Sequence, residues 1–382
     1  MAMNENEEYY CFEVVWDYEG NIRQFVLRFF PLQESSELYD VMKHKTFMKR
    51  TRTSNLKLSH LNIGKTVSVL NRQLLVMNYA DVKTRVTMEK LFQRTAVVFK
   101  VNENMGDVLD SLTGHWLTTN SSNMVITRVK MTILDREDIL KLGLVGQCGF
   151  SDPCIAAEVT GEDAVKHCQD ILAMVSAKFM IHDFCYASPD PQTAKWTLSL
   201  LFDKPRRNTS VCGNGILCLI KPHSVREGAT PKIIQHILRY GFKILAIETL
   251  VLERHIAEGF LELYRGVVPE YLPWVDDFAS GPCVALEVEE FCPLGPREIP
   301  REPCQDPPPA PACNQTYDKF RSFAGPADPN IARTIRPSSL RALFGRDKVF
   351  NGVHCTDLQR DCQSDLEFIF RYIARPEIIA TR

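Results

Sequence analysis

Long hydrophobic runs are missing from this 382-residue chain. No apolar stretch approaches the roughly 20 residues that span a bilayer, and the opening residues, MAMNENEEYY, are too acidic and polar for a signal peptide. The formal net charge is -2, so no excess of positive charge indicates binding to nucleic acid or to an acidic membrane. We therefore expect a protein of the cytosol or cytoskeleton that binds neither.

Closely spaced cysteine pairs are also missing, although the chain contains 13 cysteines. An odd number without a CxxC pair argues against a disulfide framework, and a structural zinc site usually shows at least one close ligand pair. Cys154 and Cys218 lie in apolar runs, where a reduced thiol packs as a small apolar group. The one local cluster is Cys292, Cys304 and Cys313. The sequence predicts a reducing compartment and no metal site.

The chain does contain an internal repeat. Residues 96–100 (AVVFK) resemble residues 217–221 (LCLIK), residues 134–136 (LDR) correspond to residues 252–254 (LER), and residues 152–159 match residues 281–288 at five positions. Because the three matches come in the same order, they indicate a duplicated domain. We predict one copy over residues 93–205 and another over residues 211–382, after a separate first domain at residues 1–92.

The first domain has the alternation of β-strands. Apolar side chains recur at every second position in Phe12, Val14 and Trp16, and again from Phe25 to Phe29, which is strand periodicity. We predict a small, mainly β module. Its basic run, residues 43–52, surrounds Phe47 with lysine and arginine and is either a solvated loop or a contact with an acidic protein surface.

The second copy alternates strands and helices. Residues 216–220 form a continuous apolar strand, Thr230 is placed to cap a helix with Pro231 at its first position, and Gly241 is placed to end it. A strand over 242–252, a helix over 257–264 and a strand over 282–288 complete an α+β arrangement. A proline-dense insert follows at residues 289–318, and its centre is too poor in apolar periodicity for core, so we expect a loop or lid.

Residues suited to phosphate gather near the end of the second copy. Arg321, Arg336 and Arg341 carry planar, permanently charged guanidinium groups that match phosphate oxygens, and Lys221 ends the first strand of the copy. His354 lies among small and polar neighbours, and a neutral imidazole attacks a phosphoryl group whose charge is held by cations. A lone histidine is more often structural, so the order and context of these residues matter.

Those blocks resemble nucleoside diphosphate kinase over nearly all of residues 211–374 apart from the insert. They are Ile-Lys-Pro-His at 220–223, Ser-Gly-Pro at 280–282, Arg-Ser-Phe-Ala-Gly-Pro at 321–326, Leu-Arg-Ala-Leu-Phe-Gly at 340–345 and Asn-Gly-Val-His-Cys-Thr-Asp at 351–357. The resemblance implies a ferredoxin-like βαββαβ fold and a ping-pong transfer of the γ-phosphate of ATP or GTP to another diphosphate. It implies that Mg²⁺ arrives with the bound nucleotide.

The resemblance also implies roles for individual residues. His354 would be phosphorylated, and Thr356 with Asp365 would orient it. Phosphates and ribose would be held by Lys221, Tyr264, Arg321, Arg341 and Asn351.

Four departures from the family pattern weaken the expected activity. His223 replaces an aspartate, Ala327 replaces a threonine that touches phosphate, and Asp365 replaces a longer glutamate; the proline-rich insert is the fourth. Losing one hydrogen bond to a charged group costs roughly 1.5–3 kcal/mol. We therefore expect slower transfer than in the family, without complete loss.

The first copy has lost the residues of this site. By alignment Tyr186 stands where the histidine should be, and no arginine occurs between Arg136 and Arg206, so both arginine positions are gone. His182 is four residues out of register and is expected to be structural. We predict that this copy is a scaffold.

A β module followed by two kinase-like units is similar to the axonemal branch of the family, whose first segment is a DM10 domain with a PH-like fold. The matching segments are Phe-Phe-Pro at 29–31, Glu-Leu-Tyr-Asp at 37–40, Lys-Thr-Phe-Met-Lys-Arg at 45–50 and Gly-Lys-Thr-Val at 64–67. This resemblance implies a location in cilia or flagella, inside doublet microtubules, with tubulin, neighbouring axonemal proteins and the γ-tubulin complex as partners. Two functions follow: a nucleoside diphosphate kinase, or a microtubule-binding scaffold with residual nucleotide binding.

Overall fold

The computed structural model describes residues 8–18, 21–54, 56–61, 66–70, 72–113, 124–144, 152–179, 185–203, 208–291 and 313–374. The chain divides into two compact units, Met1–Gln93 and Arg94–Arg382. Within these described ranges no helix is both long and apolar enough to cross a membrane.

The first unit is a six-stranded antiparallel sheet followed by one helix. Its elements are β1 (Tyr10–Tyr18), β2 (Asn21–Phe30), β3 (Ser35–Asp40), β4 (Lys45–Arg52), β5 (Thr66–Val69), β6 (Arg72–Tyr79) and α1 (Val82–Leu91). The strand order is β4-β3-β2-β1-β6-β5. The alternating apolar side chains point into one core, in which Phe12, Phe25 and Leu27 are almost completely buried. The prediction of a mainly β first module is confirmed.

Most of the basic run in this unit is a strand. Lys45 to Arg52 form β4, which pairs with β3 at one edge of the described sheet, so the expectation of a loop is wrong for these residues. Met48 lies in the core and Phe47 packs against it, whereas Lys49 and Arg50 are exposed, so two adjacent apolar side chains anchor this basic segment to the sheet. Contact with an acidic protein surface stays a prediction.

The second unit contains both copies of the repeat. The first copy consists of β7 (Gln93–Lys100), α2 (Met105–Leu112), β8 (Val125–Ile133), α3 (Arg136–Lys141), β9 (Pro153–Gly161), α4 (Ala164–Phe179), β10 (Cys185–Ala187) and α5 (Pro191–Leu198). The second consists of β11 (Ile216–Ile220), α6 (Pro222–Arg226), α7 (Thr230–Arg239), β12 (Phe242–Val251), α8 (Arg254–Phe260), α9 (Tyr271–Phe278), β13 (Pro282–Glu290), α10 (Cys313–Ala324), α11 (Pro329–Ile335), α12 (Leu340–Phe344), β14 (Val353–Cys355) and α13 (Cys362–Glu367).

The two copies share one eight-stranded sheet in the order β10-β7-β9-β8-β12-β13-β11-β14. Each half has its four strands in the ferredoxin-like order, in which the first and third strands lie side by side at the centre. The predicted α+β class is confirmed. From each edge toward the middle, the strands are the fourth, first, third and second of their copy. The copies are therefore related by a pseudo-two-fold axis between β8 and β12.

The joint between the copies is made by the same elements from each side, as in an isologous interface. On the sheet, the Thr249 hydroxyl donates to the Val129 carbonyl and accepts from its amide, each at 2.8 Å. On the helical face, Gly106 of α2 lies so close to α7 that an added Cβ would stand 2.6 Å from the Gln235 Cα. Apolar side chains of both copies therefore belong to one core.

Element boundaries in the second copy differ slightly from the prediction. Thr230 is the first residue of α7 and its hydroxyl makes no hydrogen bond within the described residues, so its predicted capping role is wrong and Ala229 holds the cap position. Gly241 ends the helix with φ of 97°, as expected. The predicted insert is regular at both ends, because β13 extends through Glu290 and α10 begins at Cys313. Its centre lies outside the described residues.

Candidate functional site

His354 is the middle residue of β14, a three-residue strand at the edge of the described sheet. It pairs with Leu219 of β11, two residues before Lys221 at the strand end. The β11 side chains are completely buried, so the short β14 is held against a rigid strand. His354 is only 8% exposed.

A cavity of about 100 Å³ opens beside His354. The sequence predicted five of its lining residues as one site: Lys221, Arg321, Arg341, Asn351 and His354. The others are Trp274, Gly325, Pro326, Ala327 and Asp357. Residues that are up to 136 positions apart in sequence, from Lys221 to Asp357, thus surround one small space.

Two of the cations are anchored by backbone carbonyls. Arg341 donates from Nη1 to Gly325 O at 2.8 Å and from Nε to Val353 O at 3.1 Å, and Lys221 Nζ donates to Val349 O at 2.9 Å. Both side chains are buried. Because these hydrogen bonds go to neutral carbonyls, the positive charge of Arg341, and of Lys221 when it is protonated, can act on an anion in the cavity.

Arg321 is paired differently. Its Nη1 contacts the carboxylate of Asp357, to which Tyr264 also donates from its hydroxyl. Burial and the neighbouring Asp365 raise the pKa of Asp357 to about 6 although Arg321 touches it. An incoming phosphate would compete with Asp357 for Arg321. Sequence reasoning gave Asp357 no role, and the only available signal was its place in the 351–357 block.

Burial and charge set the protonation of the two central groups. Burial, followed by the positive charges of Arg341, Lys221 and Arg321, holds the pKa of His354 well below its ordinary value. Burial also lowers the pKa of Lys221 to about 7, against the opposing effect of Asp277. The imidazole is therefore neutral near pH 7, which is the state that attacks phosphorus.

Aromatic rings fix the plane of the imidazole. Phe260, Phe278 and Tyr264 meet it edge to face, with ring centroids 5.3, 6.0 and 6.2 Å away. Tyr264, predicted to hold nucleotide, lies near His354 but does not line the cavity. Trp274, which sequence reasoning missed, does line the cavity, and its ring centroid lies 5.3 Å from the Lys221 Nζ. No motif in the sequence indicated that a single tryptophan on α9 would reach Lys221.

The predicted orienting pair lies beside the site without touching the histidine. No hydrogen bond joins Asp365 to His354 among the described residues, and the buried Thr356 hydroxyl is unpaired there. Thr356 is nevertheless near enough to lower the pKa of Asp365, which burial raises to about 6. Their orienting role stays a prediction.

Asn351 offers an unused acceptor. Its Nδ2 donates to the carbonyl of Ala327 at 3.1 Å, and its buried Oδ1 has no partner among the described residues. Ala327, where the resemblance expected a threonine, lines the same cavity. A hydroxyl of a bound ligand would satisfy the orphaned oxygen, as buried acceptors require.

The corresponding position in the first copy holds Tyr186. It pairs with Val98, two residues before Lys100, just as His354 pairs two residues before Lys221. The Tyr186 hydroxyl lies 3.1 Å from the Thr197 hydroxyl, and Lys100 Nζ contacts Asp152 at 2.8 Å near the surface. Register thus places tyrosine where the second copy has histidine. His182 lies outside the described residues.

Comparison with known proteins agrees with this fold. Residues 215–373 match the nucleoside diphosphate kinase family. Nucleoside diphosphate kinase homolog 7 of Mus musculus is 31% identical over 98% of this chain and 95% of its own length, and that of Rattus norvegicus is 29% identical over the same shares. The nucleoside diphosphate kinase of Aquifex aeolicus is 30% identical over 40% of this chain and 92% of its own. The chain therefore belongs to the nucleoside diphosphate kinase homolog 7 family.

Proposed function

We propose that residues 211–382 transfer the γ-phosphate of nucleoside triphosphates to diphosphates through His354. One observation supports the proposal most strongly: a buried imidazole with a depressed pKa lies on a cavity lined by Lys221, Arg321 and Arg341. A nucleophile beside three cationic side chains in so small a space suits the transfer of an anionic phosphoryl group.

In the proposed reaction a ring nitrogen of neutral His354 forms a bond to the γ-phosphorus while the bond from phosphorus to the bridging oxygen breaks. The electron pair of that bond leaves with the diphosphate, and the cations stabilise the charge on the transferred oxygens. A second diphosphate then attacks the phosphohistidine and regenerates the imidazole.

Mg²⁺ enters this scheme with the nucleotide as part of the substrate. Among the described residues no group of three or more histidine, cysteine, aspartate and glutamate side chains is arranged to hold a metal. The ion would bridge phosphate oxygens, as it does in other phosphoryl transfers.

The cavity must widen to admit a nucleotide. Its volume of about 100 Å³ is below the roughly 300 Å³ of ordinary ligand pockets. An open cleft of about 460 Å³ adjoins it and shares Arg321, Gly325 and Pro326, with Arg336 on its far side. Separation of Arg321 from Asp357 would join the two spaces.

A coupled exchange assay tests the transfer. The wild type should convert GDP to GTP with ATP as donor, and His354→Ala should lose at least about 10³ of that rate because the nucleophile is gone. His255→Ala is the matched control, since His255 is exposed on α8. Equal rates for wild type and His354→Ala would show that another group, or a contaminant, carries the activity.

We also propose that the chain acts on ciliary or flagellar microtubules, with tubulin, neighbouring axonemal proteins and the γ-tubulin complex as partners. The first copy supports a scaffolding contribution, because it retains the fold without the nucleophile. The exposed lysines of β4 favour an acidic partner.

A microtubule pelleting assay tests the role of β4. The double substitution Lys45→Glu and Lys49→Glu should weaken binding to microtubules, whereas His354→Ala should not. If the β4 substitutions leave pelleting unchanged, β4 is not part of the interface.

A further inference from the structure

His223 and Asp277 form a buried pair behind the cavity. His223 is the second residue of α6 and Asp277 lies on α9. The two side chains are 1% and 0% exposed, and His223 Nδ1 lies 2.9 Å from Asp277 Oδ2. His223 stands where the sequence resemblance led us to expect an aspartate, and its partner Asp277 lies 54 positions further along the chain.

The second ring nitrogen of His223 identifies the tautomer. The amide of Gly352 donates to His223 Nε2 at 3.1 Å. A nitrogen that accepts a hydrogen bond carries a lone pair, so the proton of the neutral ring is on Nδ1 and is donated to Asp277. Asp277 therefore selects the tautomer that can bind the Gly352 amide.

Gly352 is held at both of its backbone polar atoms. Its carbonyl accepts from the Lys221 amide and from the Ser224 hydroxyl, each at 3.1 Å. Its φ of 86° belongs to the left-handed region, which glycine adopts without strain. Asn351 precedes this residue and His354 follows it by two, and both line the cavity.

Helix α9, which carries Asp277, also lines the cavity. Trp274, one turn before Asp277, lines the cavity and donates from its indole to Lys348 O at 2.9 Å. Phe278, next to Asp277, packs against His354, and its ring centroid lies 5.3 Å from the Lys221 Nζ. The His223–Asp277 pair thus joins α9, which lines the cavity, to Gly352, the residue directly before the strand that carries His354.

We propose that His223, held in its Nδ1–H tautomer by Asp277, is a positioning residue for phosphoryl transfer: it fixes the Gly352 amide and thereby the placement of Asn351 and His354. This inference rests on the proposed transfer activity. It gives a function to a departure that would otherwise only weaken the resemblance. Misplacement of a nucleophile by about 1 Å costs on the order of 100-fold in rate, so this positioning matters to kcat.

Two substitutions of Asp277 separate positioning from packing. Asp277→Asn keeps an acceptor for Nδ1–H, and the Gly352 amide still requires an unprotonated Nε2, so the same tautomer stays favoured and activity should remain within about threefold. Asp277→Leu has similar bulk without an acceptor and should lower kcat about 10- to 100-fold, with KM for nucleotide changed less than about threefold. Asp276→Asn is the control, since Asp276 lies on the same helix but is exposed and pairs with Arg254.

His223→Phe should resemble Asp277→Leu, and the double variant should lose little more than either, because both remove the same contact. Thermal unfolding accompanies each assay. If Asp277→Leu lowers the melting temperature but leaves kcat of the folded protein at the wild-type value, the pair is only structural and the inference is wrong. If the wild type itself transfers no phosphate, the proposed function fails instead.

A spectroscopic test measures the tautomer of His223 directly in the wild-type protein. In ¹⁵N-histidine-labelled full-length protein, His223 should show a protonated Nδ1 and an unprotonated Nε2 at neutral pH, with its signals assigned by their loss in His223→Gln. A proton on Nε2, or on both nitrogens, is incompatible with acceptance from Gly352 and would overturn the assignment.

Discussion

Burial sets the charge of two residues that line the cavity, His354 and Lys221. His354 is surrounded by aromatic rings and by three cations, so its imidazole stays neutral without a general base. Lys221 is 2% exposed, and burial lowers its pKa to about 7. Near pH 7 this lysine is therefore about half protonated before ligand arrives.

Nucleotide binding should accordingly take up a proton at Lys221. A phosphate beside the amine favours the charged form and raises its pKa, so affinity is greatest below pH 7 and falls as pH rises above 7, by at most about tenfold per unit. Calorimetric titration of a non-hydrolysable ATP analogue at pH 7.5, in two buffers of different ionisation enthalpy, measures the uptake. Lys221→Arg, which keeps a fixed charge, should abolish the buffer dependence. Identical heats for the wild type in both buffers would contradict this assignment.

The sequence identified individual site residues better than their pairings. Lys221, Arg341 and His354 could be found because each stands in a local block of distinctive residues. The contacts of Arg321 with Asp357 and of His223 with Asp277 join residues 36 and 54 positions apart. No local pattern specifies such partners, since they depend on how α9 and α10 pack on the sheet.

At the scale of elements, the turn after α10 determines where Arg341 lies. Gly325 has φ of 84°, and its carbonyl accepts from the Arg341 guanidinium. A Cβ at this position would stand 2.4 Å from the Ser339 Oγ. The turn therefore needs glycine both for its backbone angle and for the close approach of the residue that caps α12.

Gly325→Ala should lower the free energy of unfolding by about 2–4 kcal/mol, from backbone strain and from the clash. It should also weaken nucleotide binding, because Arg341 loses its anchor. Urea unfolding and nucleotide titration measure the two effects. Gly228→Ala is the matched control, with φ of 71° and no atom within 4 Å of the added methyl group. Gly228→Ala should lower the free energy of unfolding by only about 1 kcal/mol. Equal losses of stability in Gly325→Ala and Gly228→Ala would show that the close approach of Ser339 is unimportant.

Strands were predicted more accurately than helix ends. The apolar run at 216–220 has one interpretation, and β11 occupies those residues. The pair Thr230 and Pro231 is compatible with two arrangements: Thr230 as the helix cap, or Thr230 as the first helical residue. In the structure Thr230 is the first helical residue, because Ala229, which follows the turn at Gly228, occupies the cap position. Strand β4 was missed as a strand because its two apolar residues, Phe47 and Met48, are adjacent rather than alternating and are flanked by lysines and arginines.

At the scale of the whole molecule, the second unit is built as a two-fold pair in which Tyr186 of the first copy occupies the position that His354 has in the second. The shared sheet and the α2–α7 contact give both copies one core. Lys130 and Glu248, 3.6 Å apart and largely buried, face each other across the joint. The first copy thus contributes stability to the second even without its own site.

Gly106→Ala tests this dependence. The added methyl group would stand 2.6 Å from the Gln235 backbone, so we expect loss of about 1–3 kcal/mol and lower transferase activity near the melting transition, although Gly106 is far along the chain from His354. Differential scanning calorimetry and activity at graded temperatures measure both. Gly259→Ala on α8, where no atom lies within 4 Å, should be neutral or stabilising by up to about 1 kcal/mol. An unchanged melting temperature for Gly106→Ala would contradict a tight joint.

The most direct test of the central claim is the chemistry of the phosphorylated protein. After incubation with γ-labelled ATP and Mg²⁺, the full chain should carry an acid-labile, base-stable phosphate on His354 alone. Tyr186→His in a His354→Ala background should carry none, because the first copy has no arginines at the positions that correspond to Arg321 and Arg341. A folded wild-type protein without label, or label that persists in His354→Ala, would contradict a phosphoryl-transfer site centred on His354.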